Sequence, residues 1–198
     1  KGACASGTAL TISPSARERF YAHIDDYKGK IILRPQELSN APEVIRRLSI
    51  IAMNTAIEVD LYGNVNSSHI NGTNLMNGIG GSGDFARNGY LSIFFAESER
   101  KGGKISSVVP FCSHIDNCEH DVDVIVSERG VADLRGLSPK ERAPIIIDQI
   151  ASPRYQPILK DYFERACVAC HNSQTPHILS EAFSFHERML KNGTMEKE

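Results

Sequence analysis

The chain has 198 residues, 41% of them hydrophobic, and a formal net charge of −2. That suffices for one substantial core, with room for one domain and an appendage. Acidic and basic residues are interspersed, which excludes a general nucleic-acid or membrane-surface binder and leaves any anion site to be a local one.

Ser13-Pro14 opens a helix expected over residues 15–27, with Phe20, Ile24 and Tyr27 as its apolar stripe. Residues 30–33 read as a short strand, and Arg34-Pro35-Gln36-Glu37-Leu38-Ser39 as a loop that proline keeps out of helix. Asn40 reads as the N-cap of a helix over 41–53, with Glu43 at its third position and Val44, Ile45, Leu48 and Ile51 on its apolar face. Residues 56–65 alternate Ile57, Val59 and Leu61 against Glu58, Asp60 and Tyr62, a half-buried strand pattern. The polar stretch 64–77 is a loop too long to be idle.

That loop runs into Asn77-Gly78-Ile79-Gly80-Gly81-Ser82-Gly83-Asp84-Phe85-Ala86-Arg87-Asn88. Four glycines in six residues leave the backbone free for positive φ and expose bare N–H groups, a cradle for an anion or oxyanion. Ser82 or Asp84 is expected to cap a short helix there. The glycines also match G-x-G-x-x-G, with Glu97 placed as a ribose-binding acid would be. The context argues against a dinucleotide site: Asn71-Gly72-Thr73-Asn74 separates the glycines from the preceding strand. Only seven residues lie between Gly83 and the next apolar run, Leu91-Ser92-Ile93-Phe94-Phe95, where a crossover needs about a dozen.

Beyond the strand at 90–95 lies a charged loop, 97–104, holding Lys101-Gly102-Gly103-Lys104. A lysine beside glycines can reach a phosphate or pantetheine oxygen, or stand as a solvated turn residue. Residues 105–111 and 122–127 read as strands, the second buried on both faces, and Glu128 sits where it ends. Ser138-Pro139-Lys140-Glu141 is a capping box opening a helix to about residue 150, and Ser152-Pro153 opens another carrying Tyr155, Ile158, Leu159, Tyr162 and Phe163. Strands separated by helices favour an α/β domain with an open sheet, largely parallel or mixed, flanked by helices. The domain is expected over residues 1–165, with a helical tail over 166–198, a helix near 180–190 and a fraying charged end.

Two clusters invite a metal reading. Cys167-Val168-Ala169-Cys170-His171 is letter for letter a haem-attachment pattern and also offers zinc ligands, but the only nearby second pair is His177 and His186. His114 to Asp123 gathers two histidines, a cysteine and four carboxylates in ten residues, yet the histidines lie six apart. Reduced thiols in the first and a hydrogen-bonded loop in the second are the expectation, with no metal. Five cysteines, not spaced as a secreted framework, point to a cytoplasmic or organelle-matrix setting. Lys1-Gly2-Ala3-Cys4 shows no signal pattern, and no apolar run approaches the length of a membrane span.

Several of these stretches together carry a resemblance: Asn77 to Tyr90, Ile31 to Asn40, Val108-Val109-Pro110, Ser113-His114-Ile115-Asp116, and Gly130-Val131-Ala132-Asp133-Leu134-Arg135-Gly136-Leu137-Ser138-Pro139. In order and through almost the whole chain, they resemble the C-terminal half of the acetyl-CoA hydrolase/transferase family, most like its succinyl-CoA:acetate CoA-transferases. The resemblance implies a CoA-transferase-like fold, acyl-CoA and small carboxylates as substrates, coenzyme A as the group moved, and a homo-oligomer in the cytoplasm or mitochondrial matrix. It further implies that a glutamate attacks the acyl-CoA and forms a glutamyl-CoA thioester, opened by a second carboxylate or by water. Gly81 and Asn77 would then offer main-chain amides to CoA or the thioester oxygen, Lys101 would touch CoA, and Asn40 and Glu128 would line the reacting centre. The family's nucleophilic glutamate lies in a segment upstream of the matched region, so it is expected before Lys1, in an N-terminal half that would partner this chain. An alternative is a module that only binds CoA or a carboxylate, or a metal module at Cys167, Cys170 and His171.

Overall fold

In the computed structural model, which describes residues 5–197, the frame is a four-stranded mixed sheet. Ile51–Thr55, Leu91–Phe95 and Val124–Val126 run parallel, with Leu91–Phe95 in the middle, and Val131–Asp133 closes one edge antiparallel. β-Branched and aromatic residues dominate these strands, side chains that suit a pleated and packed surface. One face carries Phe94, Ile125 and Ala132, buried in the main core, and Ala52, also buried. The opposite face carries Ile51, Met53 and Val131, more than half exposed.

The helices Pro139–Gln149 and Gln156–Ala169 lie on the buried side, contributing Ile146, Ile147, Leu159 and Tyr162 to the same core. The first opens as its sequence dictates, with Pro139 in the first turn and Glu141 accepting the Ser138 N–H at 2.8 Å. A second small sheet places Glu58–Asp60 between Val108–Val109, parallel, and Val65–Asn66, antiparallel. Ala5–Gly7 and Ile31–Leu33 form a separate parallel pair.

Several sequence expectations change at this level. The helix after Asn40 covers only Pro42–Arg47 and is capped by Ala41, while Asn40 terminates a short helix, Gln36–Ser39, in the stretch expected as loop. Ser49 at φ 50° breaks the helical path, and Ile51–Thr55 becomes a strand because its β-branched and apolar residues gain a partner in Leu91–Phe95. Ile45 is buried as expected, but Leu48 and Ile51 are more than half exposed. The N-terminal helix divides into Pro14–Ala22 and Ile24–Tyr27 with no buried residue, and Phe20 packs on Tyr27 at 4.9 Å between ring centroids.

Glu58 and Asp60, expected to face water, are buried, because their strand is central in its sheet. Glu58 accepts from Asn66, from the Ser113 N–H and from Ser113 Oγ, and it faces His186 Nε2 at 2.9 Å. Asp60 accepts from the amides of Tyr62 and Asn64 and from the Asn64 side chain, yet burial still pushes its carboxyl up to about 6. The segment expected as a helical tail packs into the one core. Its helix spans Ser184–Asn192, Phe185 and His186 are buried, and the charged end is held by a buried Met195 whose amide bonds Lys104 O at 2.8 Å.

Candidate functional site

The three parallel strands end at Thr55, Phe95 and Val126, and their carboxyl ends open onto a cleft of about 670 Å³ walled by Ala56, Ala96, Arg100 and Glu128. In α/β sheets this is where loops leave the strands free to hold ligands. An adjoining cleft of about 450 Å³ shares Arg100 and Glu128 and adds Lys101, Gly102 and Gly103.

Glu128 leaves its strand to meet the loop after Phe95. Its Oε2 accepts the Ser98 N–H at 2.9 Å and its Oε1 accepts the Ser98 hydroxyl. Burial pushes the Glu128 carboxyl up, but the two Ser98 donors outweigh it and hold the pKa below 4.5, so the group is a carboxylate at neutral pH. Arg100 crosses the floor of both clefts, donating to Ala56 O at 3.0 Å and lying 3.6 Å from Glu97. Lys101, Gly102 and Gly103 all have positive φ, and this tight turn is fixed from below by the buried Tyr155, whose hydroxyl donates to Gly103 O at 2.7 Å.

Asn40 and Gly81 meet in a third cleft, of about 530 Å³, that runs along Ile51–Thr55. A Cβ on Gly81 would fall on the Asn40 side-chain nitrogen, so glycine is demanded here by close approach and not by its φ of −87°. Asn40 is oriented by Ser39, whose hydroxyl donates to its Oδ1 at 2.8 Å. Gly81 itself caps the helix Ser82–Asn88, in place of the expected Ser82 or Asp84, and its N–H has no acceptor among the described residues.

The sequence-predicted residues therefore fall into two pairs, Asn40 with Gly81 and Lys101 with Glu128, in two clefts that share no lining residue. Asn77 lines none of the three. Its N–H donates to Ser68 O at 3.3 Å and its side chain to Ser67 O and Gly78 O, so it anchors the loop. Ser98 and Arg100 were not singled out from the sequence, although the signal was present: both lie in the loop directly after a parallel strand's carboxyl end.

The clusters read as possible metal sites are otherwise engaged. Asp116 accepts from Ser67 N and Ser68 Oγ, Asp123 from Ser92 N, and Asp121 pairs with Arg87. Cys170 Sγ donates to His177 O, and burial pushes the Cys167 thiol up. Among the described residues no group of three or more His, Cys, Asp or Glu side chains is arranged to hold a metal ion, and no helix is long and apolar enough to cross a membrane.

A mixed sheet flanked by helices, with an ionised glutamate and a lysine–glycine turn at the carboxyl end of its parallel strands and an Asn–Gly contact beside its edge strand, defines an α/β domain with open clefts. The sequence profile of the acetyl-CoA hydrolase/transferase C-terminal domain matches residues 17–163, and the chain belongs to that family. It is 55% identical over 190 residues to the succinyl-CoA:acetate CoA-transferase of Clostridium kluyveri, covering 96% of this chain and 35% of that protein. It is 47% identical over 200 residues to an acetyl-CoA hydrolase of Neurospora crassa, covering 98% of this chain and 38% of that protein. The chain thus spans little more than a third of these relatives. Among solved structures it is similar to RipA from Yersinia pestis, with a TM-score of 0.59 and 29% identity over 69% of this chain and 31% of that one. The 4-hydroxybutyrate CoA-transferase of Porphyromonas gingivalis gives 0.55 and 28%, over 69% and 32%.

Proposed function

We propose that this chain is the C-terminal part of an enzyme that moves CoA between an acyl-CoA and a small carboxylate, or to water, through a glutamyl-CoA thioester. The nucleophilic glutamate belongs to the remaining, N-terminal part of the longer protein. Gly81 offers its N–H to the oxygen that gains charge as the thioester carbonyl is attacked, and Asn40 adds its side-chain amide beside it. Glu128 lines the reacting centre as a carboxylate. Lys101, on a fixed turn beside it, meets the CoA chain, and the Asn77 side chain keeps the glycine loop in place. The substrates are the acyl-CoAs and small carboxylates of the relatives' names, and the working assembly is a homo-oligomer in the cytoplasm or mitochondrial matrix, with no metal.

The observation that carries this reading is the contact of Asn40 with Gly81, where an unengaged main-chain N–H sits beside a side-chain amide and no Cβ fits. In the longer enzyme Gly81→Ala keeps its N–H but drives a methyl group against the Asn40 side-chain amide, displacing that donor, and so lowers kcat on the order of 10²-fold. Unfolding is expected to change little, because φ at Gly81 suits any residue. Asn40→Ala separates loss of the Asn amide from loss of the glycine geometry. An unaltered kcat in a folded Gly81→Ala enzyme would remove the oxyanion role.

A further inference from the structure

We infer that Tyr155 is a positioning residue for Lys101. Its hydroxyl, together with the segment Thr194 to Glu196, holds the main chain of the Lys101 turn in the conformation that sets this lysine at the cleft of about 450 Å³. The inference deepens the reading of Lys101 as the CoA contact and rests on it.

The turn is the tip of a hairpin. Glu99–Arg100 pairs antiparallel with Ile105–Ser106, Arg100 opposite Ile105, which leaves Lys101 to Lys104 as the connecting loop. Along it φ is 51° at Lys101, 66° at Gly102 and 89° at Gly103. The two glycines adopt such angles freely, whereas a lysine does so at a cost that persists only where the surrounding structure enforces it. The short ribbon cannot enforce it alone, since an isolated two-stranded hairpin is itself marginal.

The enforcement comes from elements distant in sequence. Residues at the entry of the helix Gln156–Ala169 grip the hairpin twice. Ser152 Oγ donates to Glu99 at its base, and the Tyr155 hydroxyl donates to Gly103 O at 2.7 Å at its tip. Tyr155 is fully buried, so this bond is shielded from water and its loss leaves the Gly103 carbonyl without that partner. The C-terminal segment holds the next residue: Met195 N–H donates to Lys104 O at 2.8 Å and Thr194 Oγ1 to the same oxygen at 3.4 Å, with the Met195 side chain buried in the main core. Arg154, paired with Glu196 at 2.7 Å, lies against Gly103, its Nε 2.8 Å from where a Cβ would stand. A side chain at position 103 is thus opposed both by its φ and by this guanidinium.

The Lys101 side chain stays outside these contacts. It is exposed and enters no ion pair or hydrogen bond among the described residues. A main chain fixed at several points beneath an unengaged cation is preorganised, because the entropy of ordering the tip is lost on folding and not again on binding. A contact to CoA remote from the carbonyl under attack stabilises ground and transition states alike, so loosening the tip raises KM and leaves kcat where it was.

The test uses the longer protein. Tyr155→Phe keeps the ring in the core and removes only the hydroxyl, and the KM for acyl-CoA is expected to rise about 3–10-fold, the worth of one hydrogen bond, at unchanged kcat. Gly103→Ala acts on the same tip from within and should give the same split, whereas a merely structural role would lower the unfolding midpoint without it. Lys101→Ala is the control for the underlying reading and should itself raise KM, with Tyr155→Phe adding nothing further in the double variant. If Lys101→Ala raises KM but folded Tyr155→Phe and Gly103→Ala do not, or if Tyr155→Phe adds its full effect on top of Lys101→Ala, the inference is overturned while the reading of Lys101 stands. A KM unmoved in all three variants removes the reading of Lys101 and the inference with it.

Discussion

Glu128 shows how one carboxyl in a cleft is kept charged. Burial favours its neutral form, and the paired donors of Ser98, one from side chain and one from backbone, reverse that preference together with the Glu128 main chain and the Arg129 charge. Ser98→Ala removes the hydroxyl and keeps the amide, so the Glu128 pKa rises. Where Glu128 must be ionised for turnover, the acid limb of the longer enzyme's kcat profile moves up by the same amount while the plateau stays. An acid limb that does not move would separate Glu128 from the reaction. Glu128 stands where a strand ends and Lys101 beside two glycines, and it is the family resemblance that assigned both to the site. The Asn40–Gly81 contact was not legible, because 40 residues and five short strands intervene and only tertiary packing closes that distance.

At the scale of elements, the Glu58–His186 pair joins a central strand to the C-terminal helix. Both side chains are buried, and His186, together with Ser113 and Asn66, brings Glu58 below 4.5 against the upward push of burial. Removing the imidazole leaves the buried Glu58 carboxylate without one of its hydrogen-bond partners, so His186→Ala destabilises by about 1–3 kcal/mol in denaturant unfolding. The pH dependence has a definite sign. A carboxyl with a depressed native pKa contributes stability that is complete above about pH 4.5 and is lost as pH falls through the lower native value, because the unfolded chain takes the proton first. In His186→Ala that acid loss flattens, and an unchanged slope would show that the pair is not its source. The cysteines of the preceding turn carry a negative expectation. Elemental analysis should find well under one equivalent of zinc or iron, and Cys167→Ser with Cys170→Ser should unfold near the wild-type midpoint; stoichiometric metal surviving a chelator would contradict this. These couplings were hidden in the sequence for a physical reason. The alternation of Glu58, Asp60 and Tyr62 with apolar residues reads as a solvated face until a third strand and a distant helix bury both sides. The capping box at Ser138 needed no such context, being local, and its helix forms as expected.

For the whole molecule, the class of fold followed from alternating strands and helices, while the edge position of Ile51–Thr55 and the exposed Ile51, Met53 and Val131 show only in three dimensions. On the proposed reading the chemistry is likewise divided: this chain would hold the donors and the cleft, and the covalent step would need a glutamate from the other part. Asn40, Gly81 and Glu128 would then position and stabilise without replacing the carboxylate that carries CoA. The most direct measurement is to treat the longer protein and the 198-residue chain in parallel with acyl-CoA and a carboxylate acceptor, trap with borohydride, and locate the modified residue by mass spectrometry. The account predicts turnover and a single modified glutamate outside residues 1–198 in the longer protein, and neither in the chain alone. Turnover by the chain alone, with an adduct on Glu37, Glu58 or Glu128, would contradict it.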